Sequence, residues 1–179
     1  RVGNSNRDCP FLKQTEIQSE FGGLKSMNVK QKADSVANTK PNAKIIIMGD
    51  FNAYYPEKIF SKTLRTRIIE EADSIDTKAL YLLTNRMDAH NGIKGTYKFR
   101  GQWNLLDNFI VSGSLLQKKN DGSLYTDKKM CKIVDLPILL QKDKKGDGVH
   151  PYRTLLGHYY QGGFSDHLPI LLDLEYVYK

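Results

Sequence analysis

The spacing of apolar residues changes several times along this chain, and each change marks an element. Val29, Ala33, Val36 and Ala37 recur at three- and four-residue intervals, which predicts a helix capped by Ser26 and ended at Pro41-Asn42. Ile45 to Met48 then form an unbroken apolar run with three isoleucines, the signature of a buried strand rather than a solvated one. That run stops abruptly at Gly49-Asp50-Phe51-Asn52. After a loop at Tyr54-Tyr55, Pro56 suits the first turn of a short helix reaching about Leu64. Leu80, Leu83 and Met87 predict a further helix, capped by Thr77 and stopped at Asn91-Gly92.

Beyond residue 95 the pattern is that of strands. Thr96 to Val111 reads as a hairpin turning at Arg100-Gly101-Gln102. In its second run Leu105, Asp107, Phe109 and Val111 share one face, and Leu106, Asn108 and Ile110 share the other. Neither face is polar, so this strand is expected to be buried on both sides. Asp121-Gly122 marks a turn, and Ile133 to Leu140 is a strand interrupted by Pro137. Lys142 to Gly148 is expected to be a mobile loop, and Ile170 to Tyr176 an amphipathic strand. There are no internal repeats and no linker, so residues 1–179 belong to one domain.

Composition narrows the class. The chain has 179 residues, 40% hydrophobic and 26% charged, as in ordinary globular proteins. No stretch reaches the roughly 20 apolar residues of a membrane-spanning helix. The net charge is +7, and the lysine-rich stretch from Lys118 to Lys145 is either a polyanion-steering surface or a solvated loop. Cys9 and Cys131 are far apart with no metal-ligand spacing; they form either one disulfide or two free thiols. The compartment stays open, secretion included. His90, His150 and His158 form no ligand pattern and are expected to be structural or exposed.

Three polar interruptions of apolar strands carry the candidate chemistry. If the first strand stays extended, Asp50 and Asn52 point the same way, and that pair either binds a divalent metal and orients a phosphate or simply ends the strand in a turn. Asp107 inside a buried strand needs a donor, most economically a histidine or a metal; backbone amides are the alternative. Ser165, Asp166 and His167 are consecutive. Side chains of neighbouring extended residues diverge, which argues against a hydrolase triad and for Asp166 and His167 reaching a site separately. Tyr54, just past the first strand, either walls a substrate site or is an ordinary loop tyrosine.

In order, Gly-Asp-Phe-Asn at 49–52, Trp-Asn-Leu-Leu-Asp-Asn-Phe-Ile-Val-Ser at 103–112 and Ser-Asp-His-Leu-Pro at 165–169 resemble the endonuclease/exonuclease/phosphatase superfamily. That resemblance implies a DNase I-like four-layer α/β sandwich, two mixed β-sheets packed face to face with outer helices. It implies a divalent-metal-dependent phosphoester hydrolase using Mg²⁺ or Mn²⁺. Asp50 resembles the acid that activates water or assists the leaving group, and also a metal ligand. Asn52 resembles the amide that orients the phosphate beside the metal. Asp107 and His167 resemble the pair in which the acid holds the imidazole and the imidazole contacts phosphoryl oxygens. Asp166 resembles a metal-side carboxylate, Trp103 an aromatic buttress of the Asp107 strand, and Tyr54 a substrate contact.

The basic charge makes a nuclease acting on nucleic acid the first expectation. A phosphatase or phosphodiesterase acting on a small molecule or lipid headgroup is the second, and a non-catalytic binding module on the same scaffold the third. The family also carries an early Asn, a metal-binding Glu and a His-aromatic-Pro-Ser-Arg motif, whose tail Arg1-Val-Gly resembles. The chain is therefore expected to be the C-terminal portion of one such domain. Without its N-terminal partner portion it is expected to be weakly active or inactive.

Overall fold

Residues 26–85, 92–144, 146 and 148–178 are described in the computed structural model of the chain. Helix α1 (26–39) turns Val29 and Ala33 toward the core but leaves Val36 exposed; Ala37 continues the inner stripe instead. Its N-terminal boundary lies outside the described residues.

Five strands build the frame of the site: β1 (Ile46–Asp50), β2 (Leu80–Leu82), β3 (Tyr97–Phe99), β4 (Gln102–Asn104) and β5 (Asp107–Ser112). Shorter strands follow: β6 (Ser123–Tyr125), β7 (Cys131–Ile133), β8 (Leu140–Lys142), β9 (Val149–Pro151), β10 (Leu155–Leu156), β11 (Tyr159–Tyr160), β12 (Ile170–Leu172) and β13 (Glu175–Val177). Strands β1, β5 and β2 form an antiparallel sheet with β5 at its centre, while β3–β4, β6–β13, β7–β12, β8–β9 and β10–β11 are two-stranded ribbons.

The central strand is buried on both faces, as its sequence requires. On one face Ile110 joins Leu80, Leu82, Phe60, Leu64 and Ala33 in a core that Val29, Ile45 and Ile47 complete. On the other face Phe109 and Val111 pack with Leu83 and Leu115 beneath Cys131, Ile170 and Leu172 of the β7–β12 ribbon. Each large apolar side chain so removed from water contributes about 1.5–3 kcal/mol. Burial also pushes the free Cys131 thiol up to about 12, which keeps it protonated. Cys9 lies outside the described residues.

Several elements differ from the sequence reading. Strand β1 is an edge strand: Ile47 faces the helix side, but Ile46 and Met48 are exposed, Met48 by 70%, because the β7–β12 ribbon covers β5 and stops short of β1. Leu80 to Leu82 form a strand rather than a helix, paired to β5 with every residue buried. Asp76 ends the possibility of a helix there by accepting from the amides of Lys78 and Ala79 in a turn. Met87 and Asn91 lie outside the described residues. The expected helix after Pro56 shrinks to one π-type turn, Ile59–Thr63.

The hairpin at Arg100-Gly101 is present, but its second run breaks at Leu105-Leu106. Strand β4 pairs with β3, and β5 continues into the other sheet. The expected strand from 170 to 176 is likewise split, at Asp173-Leu174. The described ends of the Lys142–Gly148 loop are tied together, with the amide of Asp143 donating to the carbonyl of Gly148. The layers seen are helix, sheet and ribbon. Among the described residues the strands do not close into two face-to-face mixed sheets, and every strand pairing is antiparallel.

Candidate active site

The register of β1 on β5 puts Asp50 directly opposite Asp107. Residues facing each other across an antiparallel pair share a face, so two carboxylates stand side by side at the end of the sheet, an arrangement that is destabilising unless a cation intervenes. One partner is supplied by the chain. The Nδ1 of His167 lies 2.7 Å from Asp107 Oδ2, with both side chains largely shielded from solvent. Ligand atoms of Asp50, Asp107 and His167 all fall within 4.8 Å of one another.

The backbone holds each member in place for an identifiable reason. Asp50 ends β1 after Gly49, whose φ of +142° suits only glycine. Asn52 then enters the left-handed region at φ +48°, and its amide and Nδ2 donate to the two oxygens of Asp50 at 2.8 and 3.1 Å. Asp50 and Asn52 meet through this turn, not through strand alternation as the sequence reading supposed. Asp107 is fixed from behind by Asn108. Its buried amide accepts from Thr84 Oγ1 at 2.6 Å and donates to the carbonyls of Leu106 and Ala53, pinning the loop after Asp50 to β5.

His167 arrives from the far end of the chain on a short stretch paired with β3, in a bridge between Tyr97 and His167. Leu168, buried at 2% exposure, anchors this stretch. Thr96 serves both halves: its carbonyl accepts from the Leu168 amide at 2.7 Å, and its hydroxyl lies 3.4 Å from the Asp107 amide. Gly95 makes this possible, since a Cβ there would run into the backbone of Asn104. The Tyr97 ring lies 4.9 Å from the His167 ring, backing it with an apolar face. Ser165 Oγ accepts from the His167 amide, not from its ring, so Ser165, Asp166 and His167 form no triad.

Electrostatics follow the geometry. The hydrogen bond to Asp107 raises the His167 pKa above its ordinary value, against burial, and the charges of Asp107, Asp50 and Asp166 raise it further. Asp166 is exposed and outside the three-residue cluster, so it acts here through its field. Tyr54 is exposed, its amide donating to Glu57. Trp103 sits opposite Lys98 in the β3–β4 ribbon, with the Lys98 ammonium 5.5 Å from its ring. Thr84, Thr96, Tyr97 and Asn108 build the site, a role the sequence reading gave to none of them. Gly95-Thr96, a glycine at the head of a strand, was the one local signal of close approach.

The donor set fits a hard divalent cation: the Oδ1 of Asp107, the Asp50 oxygens, each with a lone pair beyond its bond from Asn52, and an imidazole whose Nδ1 is already committed to Asp107. The hollow of about 560 Å³ bounded by Tyr55, Glu57, Phe60, Arg67 and Glu71 includes none of the three residues. No helix among the described residues is long and apolar enough to cross a membrane. No curated protein and no solved structure matches the chain. Residues 19–176 match the endonuclease/exonuclease/phosphatase family. The chain therefore belongs to that family, whose members have a DNase I-like fold and are in general metal-dependent phosphoester hydrolases.

Proposed function

We propose that the protein hydrolyses phosphodiesters by attack of water, with nucleic acid as the first substrate class and Mg²⁺ or Mn²⁺ as cofactor. The observation that carries this reading is the pair Asp50 and Asp107, opposed across two strands with His167 bonded to one of them. A divalent cation at the two carboxylates would offset their repulsion, neutralise phosphate charge and make the attacking water more acidic.

The residues divide the remaining work. Asp107 takes the Nδ1 proton and fixes the ring, leaving Nε2 to donate to a phosphoryl oxygen as charge builds there. The raised pKa of His167 favours that donor form. Asp50 is the acceptor for the proton of the attacking water. Asn52, already held beside Asp50 by two hydrogen bonds, presents its amide to the phosphate. Asp166 supplies further negative field at the cation side.

A second reading, a lipid-headgroup phosphodiester, has one observation in its favour. The β10–β11 hairpin just before His167 exposes Leu155, Leu156, Tyr159 and Tyr160, the tyrosines by more than 70%. A panel of DNA, RNA, glycerophosphodiesters and phospholipid vesicles, assayed with Mg²⁺ on the longest natural form of the protein that carries these residues, tests both. Cleavage of nucleic acid supports the first reading, cleavage of vesicle lipid alone supports the second, and no cleavage of any overturns the hydrolase assignment.

A further inference from the structure

A second polar cluster lies one strand away from the candidate active site. Asp143, at the end of the β8–β9 ribbon, has both carboxylate oxygens engaged: Oδ2 by Lys98 Nζ at 2.6 Å and Oδ1 by His150 Nδ1 at 2.8 Å. Lys98 also donates to the carbonyl of Val149 at 2.8 Å. The Lys98 hydrogen bond, with help from His150, holds the Asp143 pKa below the usual carboxylate range. The arrangement is built into the chain. A Cβ on Gly148 would collide with the Asp143 carboxylate and crowd the Lys98 ammonium, so glycine is what lets the pair close.

Above this cluster opens a cavity of about 350 Å³ lined by Lys98, Lys144, Arg153, His150, Gln141 and Gln161, along with Asp143. The wall holds three cationic side chains and a single carboxylate whose two oxygens are already used. What remains is a surplus of positive charge and of N–H donors, the chemistry that receives an anion with several acceptor oxygens. Arg153 joins this cavity to the active site. Its Nη2 donates to the Lys98 carbonyl at 2.6 Å, and its guanidinium lies 5.3 Å from the ring of Tyr97, the same ring that backs His167. Arg153 and His167 thus both pack against the ring of Tyr97.

We propose that the Lys98–Arg153–His150 cavity is a subsite for a second phosphoryl group of the substrate, flanking the one held at Asp50, Asp107 and His167. This inference rests on the phosphodiesterase reading for its role, but the anion site itself does not. The flanking phosphate can come from the next nucleotide of a strand or from a phosphorylated headgroup, and the two sources are separable by experiment.

Two measurements test it. The first titrates the metal-free protein with inorganic pyrophosphate in EDTA and follows the ring resonances of His150. Saturable shifts that weaken about tenfold or more in Arg153→Gln and Lys144→Gln, and persist in Asp50→Asn, are expected. Absence of saturable shifts overturns the subsite. The second compares turnover of dithymidine phosphodiester with and without a 5′-phosphate, and of glycerophosphoinositol with and without a 4-phosphate. In one pair the flanking phosphate should lower KM, and Arg153→Gln should erase about a tenfold preference. The responding pair identifies the source. No preference in either pair, or equal losses on all four substrates in both variants, overturns the proposal. Pyrophosphate binding at His150 without turnover of any substrate supports the subsite and overturns the hydrolase reading instead.

Discussion

Asn108 is the residue on which the alignment of the site depends most, although it touches no reacting atom. It is 1% exposed and makes three side-chain hydrogen bonds: from Thr84 Oγ1 at 2.6 Å, and to the carbonyls of Leu106 at 2.9 Å and Ala53 at 3.3 Å. Asn108→Ala removes all three and leaves the Thr84 hydroxyl, itself 1% exposed, buried without a partner. At about 1 kcal/mol per net hydrogen bond the loss is about 3 kcal/mol, and the stranded hydroxyl adds about 1 more. Thr84→Val alone removes one donor and costs about 1–2 kcal/mol.

Asn108→Ala combined with Thr84→Val takes away both ends of the shortest bond, so it should cost less than the sum of the two single changes by about 1 kcal/mol or more. Urea unfolding followed by circular dichroism gives all four free energies. The carbonyl of Ala53 lies three residues after Asp50, so Asn108→Ala should also lower kcat by roughly tenfold or more through misplacement of that acid. A loss below about 1 kcal/mol for Asn108→Ala, or an additive cycle within about 0.5 kcal/mol, would refute this reasoning.

Other outcomes follow from single observations. Because the folded state raises the His167 pKa above 6.5, the ring contributes stability that is complete below pH 6.5. That contribution disappears as pH rises through the folded value. Unfolding free energy measured without metal should fall across that interval and flatten in His167→Gln; an unchanged slope in the variant contradicts the assignment. Gly163→Ala would drive a Cβ into the carbonyl of Tyr152, so it should cost about 1–3 kcal/mol and reduce kcat by shifting the segment that carries His167. Thermal melting and kinetics check both parts. Met48→Lys, at a position 70% exposed, should change stability by no more than about 0.5 kcal/mol; a loss of several kcal/mol in urea unfolding would mean that β1 is covered.

What the sequence made legible was whatever depends on strand alternation and charge cost. The two apolar faces of β5 were readable from residues 105–111, and so was the need of Asp107 for a donor, met by His167. The state of β1 was not, because an apolar run reports hydrophobicity and not whether a neighbouring layer reaches it; Ile46 and Met48 are left open by where the β7–β12 ribbon ends. Leu80, Leu83 and Met87 suit a helical stripe as well as Leu80 to Leu83 suit a buried strand, and long-range pairing with β5 decided between them.

The supporting residues were hidden for a similar reason. Thr96, Tyr97 and Asn108 act on partners up to 72 positions away, which no local pattern reveals. Within the lysine-rich stretch, Lys118, Lys128 and Lys132 pair with Glu175, Glu70 and Asp173 from elsewhere in the chain, which the charge count could not show. A cationic surplus lies around Arg153, where Lys144 of that stretch joins it.

The proposed function places metal-assisted phosphodiester hydrolysis at Asp50, Asp107 and His167. Its most direct test is the turnover of bis(p-nitrophenyl) phosphate with saturating Mg²⁺ or Mn²⁺, measured on the longest natural form of the protein that carries these residues and on its His167→Ala variant. The account predicts turnover that EDTA abolishes and that His167→Ala lowers by roughly a hundredfold or more with an unchanged melting temperature. Turnover that survives His167→Ala or EDTA undiminished would contradict it.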